Sequence, residues 1–232
     1  MLIRVIDFET TGMPPDAAVC EVGWYDFHHA ASLGEFLPYE AQLCNPGRPM
    51  PPEARAVHHI SDSDVAGCPD PATLFMKIND GAQVFCAHNA AFERQFFTGG
   101  TKPWICTLKV ARRLWPECPS HTNQCLRYWL GLELDNALAM PPHRAGPDAF
   151  VTAQILREAL KKASIEQMIE WTEQPSLLPR ITFGKHRGQS WGAVPADYLS
   201  WIVNKSDMDE DTKFTAKHHL KAAQAPRDQG SF

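Results

Sequence analysis

No stretch of the 232-residue chain approaches the roughly 18 consecutive apolar residues that a membrane helix requires. The opening Met-Leu-Ile-Arg-Val-Ile-Asp has neither the basic region nor the cleavage site of a secretory signal, so a cytoplasmic location away from membranes is expected. The seven cysteines (20, 44, 68, 86, 106, 118 and 125) include no C-x-x-C pair, which argues against a zinc site or a disulfide framework. Reduced, mostly buried thiols are expected instead. No internal repeat is visible. Positive charge is also scarce: the net charge of −5 counts at first against a polyanionic partner. The deficit is uneven, however. Residues 176–232 carry 8 Lys and Arg against 6 Asp and Glu, and residues 1–175 carry 14 against 21. If carboxylates of the first part bind cations, the local field there reverses.

The remaining composition, 44% apolar and 21% charged, describes an ordinary globular protein with one substantial core and room for a small second unit. Leu2 to Ile6, Val19 to Phe27 and Phe36 to Leu43 read as strands joined by short connections, which suits antiparallel neighbours. The turn Thr11-Gly12-Met13-Pro14-Pro15 is expected to form an exposed loop, because its prolines remove amide donors. Pro51 or Pro52 opens a short helix through His58, and Ser61 to Asp64 offers N-caps for the next. Gln83 to Ala87 is a short strand followed by a helix with Phe92, Glu93, Phe96 and Phe97. Ile105 to Trp115 and His121 to Leu132 read as helix or strand then helix, and a long helix runs from about Pro147 to Lys162. Strands first, then strands alternating with helices, predict a mixed sheet covered by helices. The pattern breaks near Gln174-Pro175. This divides the chain into residues 1–173 and a small C-terminal extension, 174–232, rich in aromatic residues and expected to fray beyond Ala222.

Three segments supply four carboxylates and a histidine, the set that a two-metal phosphodiesterase needs. Asp7 and Glu9, two apart on a strand, face the same side, with Phe8 turned to the opposite layer. Two carboxylates so placed repel unless a cation joins them. Glu93 falls one helical turn after His88-Asn89. His143 and Asp148 are too far apart in register to share a helix face. If Pro147 takes the first helical position, Asp148 sits in the first turn and His143 on the loop before it. That division suits a fixed metal ligand and a mobile general base. Phe92 is open between core packing and base stacking, and His88 between a structural hydrogen bond and substrate contact. Lys109, Arg112 and Arg113 are open between phosphate contact and a solvated helix face.

Taken together, D-F-E-T-T-G, A-H-N-A-A-F-E and H-R-A-x-x-D-A, with Ala56-Val57-His58-His59-Ile60 between them, resemble the DnaQ-like 3′-to-5′ exonucleases of the DEDDh class over roughly residues 1–165. The run Trp104 to Pro116 and the later Phe-Gly-Lys-x-Arg-Gly stretch narrow the resemblance to the exonuclease X-like branch, which also carries a C-terminal extension. The resemblance implies an α/β, ribonuclease H-like five-stranded mixed sheet flanked by helices. It also implies a centre of two Mg2+ ions held by Asp7, Glu9, Glu93 and Asp148, with Asp7 bridging both ions and His143 as the base. Thr10, Thr11, Gly12, Met13, His58, His88, Asn89 and Phe92 become candidate substrate contacts. DNA 3′ ends become the expected partner, hydrolysed to nucleoside 5′-monophosphates in a repair setting. Where the family has Asp in the middle motif, this chain has Glu93, longer by about 1.5 Å. Three consequences compete: substitution through another rotamer or a water, preference for a larger ion such as Mn2+, or largely lost activity. The alternatives to a deoxyribonuclease are an exoribonuclease on short or structured RNA ends and a catalytically weakened module that binds nucleic-acid ends.

Overall fold

The computed structural model describes residues 1–28 and 38–224. Five strands form one sheet: β1 (Leu2–Thr10), β2 (Val19–His28), β3 (Glu40–Leu43), β4 (Val84–Ala87) and β5 (Trp104–Cys106). Their order is β3-β2-β1-β4-β5. The first three pair antiparallel, and β4 and β5 pair parallel to β1. The short links between the first strands give the antiparallel half, and helical crossovers give the parallel half. The third strand starts later than its sequence pattern indicates, and Phe36 and Leu37 lie outside the described residues, as do residues 225–232 of the tail. The first strand is longer than expected: it continues through the acidic pair to Thr10, because each of these residues has a partner on β2.

Eleven α-helices are described: α1 (Pro52–His58), α2 (Asp62–Val65), α3 (Pro71–Asn79), α4 (Ala90–Glu93), α5 (Thr107–Leu114), α6 (Asn123–Trp129), α7 (Asn136–Ala139), α8 (Ala145–Leu160), α9 (Ile165–Glu173), α10 (Ala196–Lys205) and α11 (Glu210–Gln224). Their starts follow local chemistry. Pro52 opens α1, the Ser61 and Asp64 capping box opens α2, and the Asp70 carboxylate caps α3 at 2.9 Å from the Thr73 amide. Helix α8 begins at Ala145, so Pro147 is its third residue rather than its first. None of the first-turn amides has an intrahelical acceptor, and a proline there costs no hydrogen bond.

The sheet separates two cores. Ile3 and Val5 pack with Tyr25, Phe27, Phe150, Val151 and Ile155, and Ile6 and Phe8 pack with Val22, Trp24, Leu74, Ile78 and Phe85. The alternation of β1 therefore carries its odd-numbered face from Ile3 and Val5 under α8 to Asp7 and Glu9. Helix α8 reaches the sheet through Gly23, the partner of Asp7 on β2. A Cβ at Gly23 would lie 2.2 Å from the Ala145 carbonyl carbon and oxygen. Both are backbone atoms, so a side chain there forces the start of α8 off the sheet.

After α9 a third cluster forms around Ile181, Trp191, Leu199, Ile202 and Ala216. Basic residues of α5 hold this C-terminal lobe. Lys109 Nζ donates to the carbonyls of Thr172 and Gln174 at 2.9 Å, Arg113 donates to Pro175 O, and Arg112 binds Ser176 Oγ and Asp211 Oδ2 at 2.9 and 2.6 Å. All three are half-buried, Lys109 and Arg112 also border a cleft, and together their bonds fasten the lobe to α5.

Gly23→Ala is expected to lower stability by about 2 kcal/mol through overpacking at the start of α8. Urea unfolding checks this, and an unchanged midpoint would contradict the close approach.

Candidate active site

Asp7, Glu9 and Asp148 each offer a carboxylate oxygen, and these oxygens lie within 4.8 Å of one another. The first two come from the odd-numbered face of β1 and the third from the first turn of α8, set down on Gly23. Asp148 Oδ2 accepts the backbone N–H of His143 at 2.8 Å, which ties the preceding loop to the helix. His143 adopts φ 60°, a left-handed conformation uncommon for a side-chain-bearing residue, and its side chain is exposed. Asn123 Nδ2 donates to Asp148 O and to Thr152 Oγ1, bracing the same turn.

Glu93 lies outside the three-acid group, at the end of α4 and only 4% exposed. Its charge nevertheless reaches Asp7 and Glu9. Glu93 Oε2 and Asp148 Oδ1 are buried without a hydrogen-bond partner. Buried carboxylate oxygens normally find donors, so two orphans beside a carboxylate cluster call for positive charge. Burial raises every acid of the group. It pushes Asp7 far above the usual carboxylate range, with repulsion from Asp148, Glu9, Glu93 and Glu21 adding to it. Glu9 is pushed up to about 8 by burial, then by Asp148 and Glu21, against the lowering effect of Arg144. Burial alone pushes Glu93 up to about 8, and burial raises Asp148 against the lowering effect of the His143 amide. Once they give up these protons, the clustered carboxylate oxygens are hard donors that fit divalent cations such as Mg2+.

Other predicted site residues surround this centre unequally. Thr10 and Thr11 are buried. Thr10 Oγ1 donates to Gly12 O at 2.7 Å, and Thr11 Oγ1 accepts from the Ala18 amide, so the turn after β1 is braced from within. Gly12 has φ 146°, which favours glycine, and Met13 stands 74% exposed beyond it. Asn89 is exposed, and half-buried Phe92 packs edge-on against Phe96. The two histidines are hydrogen-bonded within the protein, which for His88 is the structural alternative left open above. His88 Nε2 faces His121 O at 2.8 Å and Nδ1 faces Thr107 Oγ1 at 2.9 Å. Burial pushes its pKa down to about 4, so a neutral ring donating from Nε2 satisfies both partners. His58 is 2% exposed, its Nδ1 accepts from the Ile60 amide, and burial lowers its pKa. Both rings are engaged in holding the strands and loops around the acids.

Sequence reasoning missed Glu21 and Arg144. Glu21 lies opposite Glu9 on β2 and is 3% exposed. Its carboxylate takes both arms of Arg144, at 2.5 and 2.9 Å, and the Ala145 amide at 3.0 Å. The pair clamps the start of α8 to the sheet and brings a guanidinium toward Glu9. A lone acid inside the apolar run Val19 to Tyr25 was the available signal.

The family model described as "Exonuclease" matches residues 5–156. The chain belongs to the exonuclease family. Exodeoxyribonuclease 10 of Escherichia coli (strain K12) is 32% identical over 226 residues, covering 95% of this chain and 99% of that protein. A solved structure of exonuclease X in complex with 5′ overhanging duplex DNA is 31% identical, with a TM-score of 0.63, covering 73% of this chain and 99% of that one. The nuclease domain of 3′hExo, a DEDDh family member bound to rAMP, shares the fold at 17% identity and a TM-score of 0.55, covering 70% of this chain and 92% of that one. The five-stranded mixed sheet is thus the ribonuclease H-like exonuclease fold, and the enzyme is a 3′-5′ exonuclease hydrolase of the DEDDh type acting on nucleic acid. Exonucleases of this type use divalent metal ions, in keeping with the oxygen donors found here. No helix among the described residues is long and apolar enough to cross a membrane.

In the metal-free exonuclease, Glu9 and Glu93 hold protons up to about pH 8, whereas the unfolded chain releases them near 4.5. The folded state binds more protons between those values, so metal-free stability falls as pH rises from about 4.5 to about 8. Thermal melting in a chelator is expected to show this decline, and millimolar Mg2+ to reverse it at the alkaline end. A flat metal-free profile would contradict the raised carboxyls.

Proposed function

We propose that this exonuclease removes nucleotides from DNA 3′ ends, single-stranded or duplex, releasing nucleoside 5′-monophosphates in DNA repair. The observation that carries the mechanism is the convergence of Asp7, Glu9 and Asp148 within 4.8 Å beside buried carboxylate oxygens that lack partners. DNA is favoured by the relative named as an exodeoxyribonuclease and by the duplex DNA in the similar solved structure. On this reading residues 1–173 form the nuclease unit, and residues 174–232 the appended lobe.

Asp7, Glu9 and Asp148, with Glu93 through its longer reach or a water, would hold two Mg2+ ions, which activate the attacking water and neutralise charge on the departing oxygen. His143, on its exposed loop, accepts the water's proton at a ring nitrogen. The water oxygen bonds to the terminal phosphorus while the bond from phosphorus to the 3′ oxygen breaks. That oxygen then takes a proton from solvent and becomes the new 3′ hydroxyl. Asp148 serves twice, as ligand and as anchor of the His143 loop. The Thr10 to Gly12 turn, Met13, Asn89 and Phe92 border the terminal nucleotide. Thr10 and Thr11 shape the turn through their internal hydrogen bonds, and exposed Met13 offers a flexible apolar face to any base.

An end-labelled assay with single-stranded DNA, duplex DNA and RNA, in Mg2+ or Mn2+, tests this. Wild type is expected to release 5′-mononucleotides from DNA, and Asp7→Ala and His143→Ala to lose on the order of 100-fold or more. Release from RNA alone would overturn the DNA assignment, and release from none would overturn the enzyme reading. Glu93→Asp is expected to keep Mg2+ activity within about tenfold of wild type. A far larger gain would show that the longer side chain weakens the centre, and full Mn2+ activity with little in Mg2+ would show a preference for the larger ion.

A further inference from the structure

A cleft of about 1080 Å³ runs between the nuclease core and the C-terminal lobe. One end is bordered by Asn89 and Ala91, in the segment leading to Glu93, and by Asn123, which holds the Asp148 turn. The loop of the lobe that carries Arg180 and Arg187 lines it as well. Residues 174–196 contain Arg180, Lys185 and Arg187 and no Asp or Glu, within a chain of net charge −5. All three cations are exposed.

The loop is built to hold these charges in place. Ile181 and Gln189 bond through N–H to O at 3.1 Å, the Gly188 amide donates to Ile181 O at 2.7 Å, and Arg180 closes the loop on Gly188 O. Gly184 has φ 61° and passes under the Tyr198 hydroxyl, where a Cβ would come within 2.4 Å, so the turn is seated on α10. Most acids on the cleft wall are already engaged. Glu173 pairs with Arg94, Asp211 with Arg112 and Ser176, and Asp209 caps the first turn of α11, which leaves Glu210. Among the described residues, the cleft cations with no acid partner are therefore Arg180 and Arg187 on the lobe and Lys109 on the core side, whose ammonium bonds only backbone carbonyls.

We infer that this cleft is a phosphate-backbone channel, in which Arg180 and Arg187 hold the nucleic-acid strand on the 5′ side of the terminal nucleotide. The inference rests on the exonuclease reading and adds the role of the lobe to it. A backbone threaded from the cage along the cleft meets the two guanidiniums, which bind phosphate oxygens in any sequence. The lobe thereby lengthens the grip on the strand without touching the reacting bond.

The test compares full-length wild type, Arg187→Ala, the double variant Arg180→Ala and Arg187→Ala, and Arg187→Lys. Each is assayed on a dinucleotide and on a single-stranded oligomer long enough to fill the cleft. In the double variant the ratio of kcat/KM for the oligomer over that for the dinucleotide is expected to fall about tenfold, and Arg187→Lys to recover part of it. The slope of log affinity against log salt for the oligomer is expected to shrink by about 1.4, two contacts at about 0.7 each. Arg187→Ala, at an exposed position, guards against a double variant that fails to fold. If wild type cleaves both substrates and no variant changes the ratio or the slope, the channel is wrong. If wild type cleaves neither, the exonuclease reading itself fails.

Discussion

Negative charge confined in a small buried volume is the constraint on which the rest of the structure depends. Three carboxylates meet within 4.8 Å, a fourth adds its field, and Glu21 stands beside Glu9 on the next strand. Water cannot screen such a group well, and protonation or cations are the two ways to relieve it. Protonation leaves a cluster with no ligand power. Cations turn the same repulsion into affinity, and place positive charge where a phosphodiester has to sit.

The scaffold keeps the acids together despite their repulsion. Strand β1 holds Asp7 and Glu9 by its ladder to β2, with Phe8 packed into the opposite core against Phe75. Gly23 allows α8 to land on the sheet, and the Glu21 to Arg144 clamp fixes its first turn. Glu21 is the buried member of this pair and Arg144 the partly exposed one, so removing Arg144 would leave a further buried acid uncompensated. The clamp also sets the His143 loop, which precedes Arg144 directly. On the proposed mechanism, the geometry for proton transfer and the stability of the helix start thus depend on the same few contacts.

Much of this was legible in the sequence, for local reasons. Asp7 and Glu9 two apart on a strand must share a face, and an acid after Ala145-Gly146-Pro147 falls in a first helical turn whichever residue opens it. The order of strands and helices gave a mixed sheet. What stayed hidden depended on distant partners. Glu21 and Arg144 are 123 residues apart, and nothing in either segment names the other. The basic stripe of α5 looks the same whether it faces solvent, phosphate or the backbone carbonyls of a C-terminal lobe. His88 drew attention as a histidine near a site, but the carbonyl that engages it belongs to His121, 33 residues on; His58, by contrast, is engaged by the amide of Ile60, two residues away.

The central claim is that the carboxyl groups carry protons when no metal is bound and exchange them for cations. Proton release on adding Mg2+ to the metal-free protein in weak buffer at neutral pH measures this directly. More than one proton released per molecule, with the release abolished or sharply reduced in Asp7→Ala, is the expected result. Mg2+ binding without proton release would contradict the account, since it would mean that the acids are already ionised and the cage stable without its cations.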